Sequence, residues 1–230
     1  LRPLIEAENE SMKLHGEGAR LRTLWRPWVV KKYLADNTTP RLHIGCGGRR
    51  LHGWLNVDKY AGDADTYLNA YSRFPFPDGA FAKAFSEHMI EHLDIDKVHH
   101  FLSEVFRVLR PGGVFRVTCP DLELYARNYI NDSQEFFDQV LAGVAWKREK
   151  DPEGTWVVRG KGGAFMSCAA RNFHKHRWMY DYDTLSSCLR EVGFTDTRHQ
   201  SFQHSVDPEL AAMDNPERSF ESLYIDAIKP

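Results

Sequence analysis

Long hydrophobic runs are missing from this chain. No apolar stretch approaches the roughly 20 residues that span a bilayer, and no signal-peptide pattern is present. A membrane-spanning reading is excluded, and a cytoplasmic location is expected. Leu1 is not a start methionine, so the chain is expected to have lost its first residues. Cysteine is also scarce. Cys46, Cys119, Cys168 and Cys188 form no C-x-x-C pair, which argues against a zinc knuckle or a disulfide framework. Cys119 and Cys188 fall in expected core elements, as suits reduced thiols. Net charge is only −2, which removes any general argument for nucleic-acid binding. Internal repeats and low-complexity tracts are absent too.

Apolar residues make up 42% and aromatics 13% of the 230 residues, enough to bury the core of one α/β domain. Charge is uneven within it. Between Ser11 and Arg50 there are nine Lys/Arg against two acids. A solvated helix face is the ordinary explanation; a positive rim that attracts an anionic substrate is the sharper one.

Leu4 to Leu34 reads as helical, interrupted at Pro27, and Asn37-Thr38-Thr39-Pro40 marks a boundary. We therefore expect an N-terminal helical extension or lid over 1–40 and the main domain over 41–230. Short strands then alternate with helices. Strands are expected at Arg41 to Ile44, Trp54 to Val57, Thr66 to Leu68, Phe81 to Phe85, Val114 to Cys119, Phe194 to Phe202 and Ser222 to Ile228. Helices are expected at Ile90 to Leu109, ended by Pro111-Gly112-Gly113, at Asp121 to Ala145 and at Asp183 to Val192. Asp151 to Met166 is Gly-rich and reads as a loop or hairpin, within a substrate-side insertion at 146–180. Alternation of this kind implies an α/β fold, a seven-stranded, mostly parallel sheet covered by helices on both faces. Ligands of such sheets bind at the carboxyl ends of the strands.

Two features meet on that rim. Gly45-Cys46-Gly47-Gly48 follows the first strand, where missing Cβ atoms let the backbone approach a ligand. Its amides and the N-terminus of a following helix are expected to offer donors. Asp58 closes the second strand and suits a ribose diol. The dinucleotide pattern G-x-G-x-x-G fails, because Arg50 stands where its last glycine belongs. Asp58 also follows by roughly a dozen residues, short of the ~20 of nicotinamide folds.

Leu42-His43-Ile44-Gly45-Cys46-Gly47 and Gly53-Trp54-Leu55-Asn56-Val57-Asp58 resemble the class I S-adenosylmethionine-dependent methyltransferases. They look most like bacterial members with a G-C-G loop and a G-W-x-N-V-D second strand. The similarity runs on through Phe74 to Phe81, Glu91-His92-Leu93 and Glu104 to Gly113, and resumes at Leu185 to Phe194. The resemblance implies a Rossmann-like methyltransferase fold with S-adenosylmethionine as cofactor and S-adenosylhomocysteine as product. It places Gly45, Cys46 and Gly47 under the methionine part, Asp58 on the ribose, and Asn69 and Ala70 by the adenine. Ser86, Glu87 and His88 would flank the methyl donor. By its position His43 is also counted among the cofactor-binding residues, but it stands where the family often carries an acid for the methionine amine, so that contact must come from backbone carbonyls or another acid.

His88-Met89-Ile90-Glu91-His92 also matches the zinc-protease pattern H-x-x-E-H. Its place after a buried strand argues against a protease, and we expect no metal; Glu91 and His92 read as structural. His174 and His176 are candidates for a catalytic base or a substrate contact. Asp121 reads either as a helix N-cap or as a rim acid able to deprotonate a hydroxyl. His88, Asp121, His174 and His176 are thus the candidate bases. The expected reaction is methyl transfer to a hydroxyl or amine of a small molecule, first a sugar or glycan precursor or a secondary metabolite. A non-catalytic cofactor-binding subunit and a nicotinamide-dependent enzyme are the alternatives. Nucleic acid is not an expected partner, no membrane span is expected, and oligomerisation is left open.

Overall fold

The computed structural model describes residues 27–59, 64–143, 160–170 and 175–230. Seven strands form one sheet: β1 (Arg41–Ile44), β2 (Leu55–Asp58), β3 (Thr66–Tyr67), β4 (Phe81–Glu87), β5 (Leu109–Pro120), β6 (Asp196–Gln200) and β7 (Ser222–Ile228). Their spatial order is β3-β2-β1-β4-β5-β7-β6. β1 to β5 run parallel, and β7 runs antiparallel to both β5 and β6. The expected fold class is therefore observed.

Period-two alternation gives the sheet two different faces. Leu42, Ile44, Val57 and Val117 belong to the larger apolar core. Helix α2 (Ile95–Val108) buries Val98, Phe101, Leu102, Val105 and Val108 in the same core, a stripe at helical spacing. Helix α6 (Tyr182–Glu191) adds Leu185 and Leu189. On the other face, the register aligns Asn56, His43, Phe85, Arg116 and Asp226 across five neighbouring strands. A smaller cluster of Leu51, Trp54, Phe85 and Leu210 packs there, and Leu210 comes from the short helix α7 (Pro208–Ala211).

Several elements differ from expectation. Residues 27–36 are helical (α1), with Val30 buried; residues 1–26 of the expected extension lie outside the described residues. No helix follows the glycine loop: residues 45–54 reach β2 as turns, because so short a crossover leaves no room for one. The expected helix N-terminus is therefore absent from the loop. Ile90 to Leu109 divides into a 3₁₀ turn (Ile90–His92) and α2. Pro111-Gly112-Gly113 lies inside β5, where the register with β4 shifts, and Gly112 N–H donates to the Lys229 carbonyl at 2.9 Å. The expected helix from Asp121 breaks into α3 (Leu122–Ile130) and α4 (Gln134–Gly143). Residues 160–166, expected as loop, are helical: α5 (Gly160–Ala164) runs into a π-wound turn (Phe165–Ala170). Ala164, Cys168 and Ala169 bury against Tyr125, Phe136, Phe137 and Val140, so tertiary packing overrides the glycine content. No helix of the described residues is long and apolar enough to cross a membrane.

Candidate functional site

The glycine loop turns sharply at the end of β1. Gly45 and Gly47 have φ of 73° and 50°, which favour glycine. The amides of Gly45 and Cys46 both donate to the Val57 carbonyl, at 2.9 and 3.2 Å, tying the turn to β2. A Cβ on Gly45 would stand 2.4 Å from Met89 Cγ, whereas one on Gly47 would meet nothing within 4 Å. The loop is packed from one side and open at Gly47. Gly47 N–H donates to Asp58 Oδ2 at 2.9 Å, so the acid at the end of β2 already faces the loop. Cys46 is buried; burial, followed by the charges of Asp58 and Asp65, pushes its thiol up to about 12. It is therefore a poor nucleophile.

Asn56 braces this arrangement from the opposite face. Its Nδ2 donates to the carbonyls of Leu51 and Trp54 and to Asp65, and its Oδ1 accepts from Leu51 N–H. His43 Nδ1 lies 3.0 Å from that same Oδ1. With the amide oriented by its other partners, His43 must donate from Nδ1. Burial pulls the His43 imidazole down to about 4, against the Asn56 hydrogen bond, so it is neutral near pH 7. Its ring is 5.5 Å from Phe85. His43 thus supports the loop from beneath it.

Asn69 and Ala70 sit in a turn after β3. Asn69 Oδ1 accepts from Tyr71 N–H, and the Tyr71 hydroxyl bonds Asp94 at the start of α2. At the end of β4, Ser86 is fully buried with an unpartnered hydroxyl. Glu87 accepts from Arg49 Nη1 at 2.8 Å and from Asn215 N–H at 3.0 Å, which links the glycine loop to the segment before β7. His88 has a φ of 48°, uncommon for a side-chain-bearing residue. That conformation turns the chain out of the sheet and lays Met89 over Gly45.

Asp121 caps α3. Its Oδ1 accepts from the amides of Glu123 and Leu124, and burial raises its carboxyl against those bonds. It pairs with Tyr180 through an isolated bridge, which brings residues 175–181 to the same rim. His176 is there and His174 lies outside the described residues. The His176 side chain is only 6% exposed, with Nδ1 2.6 Å from the Ala169 carbonyl. Its Nε2 is 3.8 Å from Glu91 Oε1, and its ring centroid is 4.8 Å from that of His92. Glu91 is completely buried. Burial would raise its carboxyl, but His88 first, then His92 and His176, hold it below the usual range. Sequence reasoning missed this convergence, along with the bracing roles of Asn56 and Arg49. The H-x-x-E-H and H-x-H patterns were its only visible signals.

A sheet of order 3-2-1-4-5-7-6 with one antiparallel strand, a glycine turn after β1 and an acid ending β2 defines the Rossmann-like methyltransferase class. A family profile described as a methyltransferase domain matches residues 54–117. The chain thus has the fold of the class I S-adenosylmethionine-dependent methyltransferases, and its matched segment resembles their methyltransferase domain. It is similar to the ubiquinone/menaquinone biosynthesis C-methyltransferase of Desulfotalea psychrophila, at 24% identity over 74% of this chain and 63% of that protein. The chain therefore matches less than two thirds of that relative's length. Among solved structures, a methyltransferase from Archaeoglobus fulgidus aligns with 92% of this chain and 94% of its own, at 16% identity and a TM-score of 0.48. Phosphoethanolamine N-methyltransferase 2 of Haemonchus contortus, in complex with S-adenosylmethionine, aligns over 89% and 52%, at 13% identity and a TM-score of 0.47.

Proposed function

We propose that this chain catalyses methyl transfer from S-adenosylmethionine to a small-molecule acceptor, with a hydroxyl as the first choice of acceptor group. The supporting observation is the pairing of Gly47 with Asp58 beside open space at Gly47. A sulfonium cofactor supplies an activated methyl group, so the protein's task is alignment and exclusion of water. The backbone of Gly45, Cys46 and Gly47 would pass beneath the methionine part. The Asp58 carboxylate would take the ribose hydroxyls, and the turn at Asn69 and Ala70 would border the adenine. Glu87 would act through Arg49, and Ser86 from beneath the sheet rim. His43 fits a bracing role, since its Nδ1 is committed to Asn56.

An oxygen acceptor needs a base. Asp121, raised by burial at the rim, suits that role better than His88 or His176, each of which has one ring nitrogen hydrogen-bonded and the other turned toward Glu91. A sugar or glycan precursor remains the preferred acceptor class. The four free thiols support a reducing, cytoplasmic setting. The relative named as a ubiquinone/menaquinone biosynthesis C-methyltransferase supports a second reading, in which a carbon atom is the acceptor.

Calorimetry with S-adenosylmethionine and S-adenosylhomocysteine tests the cofactor assignment. Mass spectrometry over panels of sugars, amines and phenols, with NMR of any product, then separates oxygen, nitrogen and carbon transfer. A folded chain that binds neither cofactor form would overturn the proposal.

A further inference from the structure

The cluster around Glu91 has a use that methyl transfer does not require. Glu91 is fully buried, and neither of its carboxylate oxygens accepts a hydrogen bond. A bare buried carboxylate is costly unless a cation compensates it. Among the described residues no arginine or lysine forms an ion pair with it, Arg218 acting on it only as a nearby charge; imidazoles surround it. His88 Nδ1 is 3.4 Å from Glu91 Oε1 and His176 Nε2 is 3.8 Å from it. Among the described residues, Glu91, His92 and His176 each offer one ligand atom, all within 4.8 Å of one another.

The outer partners decide which ring nitrogens are available. His92 Nδ1 lies 3.1 Å from the Lys175 carbonyl and His176 Nδ1 lies 2.6 Å from the Ala169 carbonyl. A carbonyl only accepts, so each Nδ1 carries the proton and each Nε2 keeps its lone pair. Backbone carbonyls orient metal-binding histidines in this way. His88 follows the same logic from its other nitrogen. The Ser222 hydroxyl donates to the Arg218 carbonyl at 2.7 Å, so it accepts from His88 Nε2, 2.7 Å away. His88 Nδ1 faces Glu91 Oε1 across 3.4 Å. Two imidazoles, each with Nδ1 held by a backbone carbonyl, thus stand beside one buried carboxylate, with a third at its edge.

We propose that Glu91, His92 and His176 bind a divalent transition-metal ion of the zinc class, with His88 as an adjacent fourth donor. Two imidazoles and a carboxylate are a borderline ligand set that favours zinc over magnesium or calcium, which prefer oxygen cages. Bonds of about 2.0–2.1 Å require the ligand atoms to draw closer than they stand, which side-chain rotations of the half-buried His92 can supply. The ion would clamp the exit of β4 to residues 169–176. Met89, between His88 and the other ligands, packs on Gly45, so the clamp would lie beside the glycine loop.

The test uses the full chain without a polyhistidine tag, stripped with a chelator. Titration with zinc against a competing indicator should give one tight equivalent, cobalt should give the visible absorption of a low-coordinate site, and zinc should raise the melting temperature. Glu91→Gln, which keeps shape and removes charge, and His176→Gln should each weaken zinc at least tenfold and abolish the thermal shift. If either buried variant fails to fold, His92→Gln at the more exposed ligand carries the same expectation. Stoichiometric zinc binding unchanged in His92→Gln and in every folded variant would overturn the proposal. So would a folded wild-type chain that binds neither ion, with NMR showing a His88 imidazolium paired to Glu91. These readouts are independent of methyl transfer, so the metal site can fail while the proposed function stands.

Discussion

The Gly47 amide donates to Asp58 Oδ2 at 2.9 Å, so the acid assigned to the ribose also holds the loop that would carry the methionine part. Asp58→Ala removes both functions. A charged hydrogen bond is worth about 1.5–3 kcal/mol, so S-adenosylhomocysteine should bind roughly ten- to a hundredfold more weakly. Asp58→Asn keeps an acceptor for Gly47 and should lose less. Calorimetry of the two variants reads the difference, and an unchanged affinity in Asp58→Ala would remove Asp58 from the site.

Gly45 and Gly47 should respond differently to alanine. At Gly45 the new Cβ meets Met89 Cγ at 2.4 Å in addition to an unfavourable φ, so stability should fall by about 1–3 kcal/mol. At Gly47 no neighbour lies within 4 Å, so only the backbone cost of about 1 kcal/mol applies. Gly47→Ala should instead lose cofactor affinity, because its methyl enters the space left to the ligand. Pairing Gly45→Ala with Met89→Ala should recover the steric part of the loss in urea unfolding. Equal stability loss at both glycines would contradict this division.

His43 should make stability fall in mild acid. Its folded-state value of about 4 lies below the ordinary 6.5, so the unfolded chain takes up the proton first. Above pH 6.5 both states are neutral and the full stabilisation is present. As pH falls from 6.5 toward 4 this contribution is lost, with a slope approaching about 1.4 kcal/mol per pH unit. His43→Gln keeps a donor for Asn56 and should flatten the slope. Urea unfolding of both proteins at about pH 7.5 and about pH 5 gives the comparison, and parallel losses would show that His43 is not the responsible group.

What could be read beforehand was whatever local pattern decides. β1 at Arg41–Ile44 and β7 at Ser222–Ile228 matched their expected residues, because Pro40 and Gly45 bound the first and β7 is a mostly apolar run before Pro230. The α2 stripe from Val98 to Val108 was equally plain. Pro111-Gly112-Gly113 misled because it reads as a helix stop, yet Gly112 and Gly113 both pair with Lys229 beside the sheet. The helical turn at 160–170 could not be read from its glycines; burial against Tyr125 and Phe137 holds it. In the site, the Gly45 loop and Asp58 lie on adjacent strands and were legible as a pair. Glu91 and His176 come together through contacts between distant segments, among them Arg177 N–H donating to the Glu91 carbonyl at 2.7 Å and the bridge between Asp121 and Tyr180.

Arg116 is the other feature that local pattern hid. It sits mid-strand in β5, fully buried, with Nε and Nη2 each 2.7 Å from Asp214 oxygens and Nη1 2.8 Å from Asp226. Asp214 also accepts from Gln203 N–H and Asp226 from Val206 N–H, so the triad pins residues 201–214 over the sheet face that holds His43. Removing one member strands the others without water. Asp214→Ala should therefore cost about 3–5 kcal/mol. Arg116→Met should cost at least as much, because two buried carboxylates lose the guanidinium that binds them both. Replacing all three with apolar residues of similar volume should be milder than Arg116→Met, since no charge is left uncompensated. Urea unfolding of the three proteins orders them, and a triple variant less stable than Arg116→Met would mean that the triad contributes net stability to the fold.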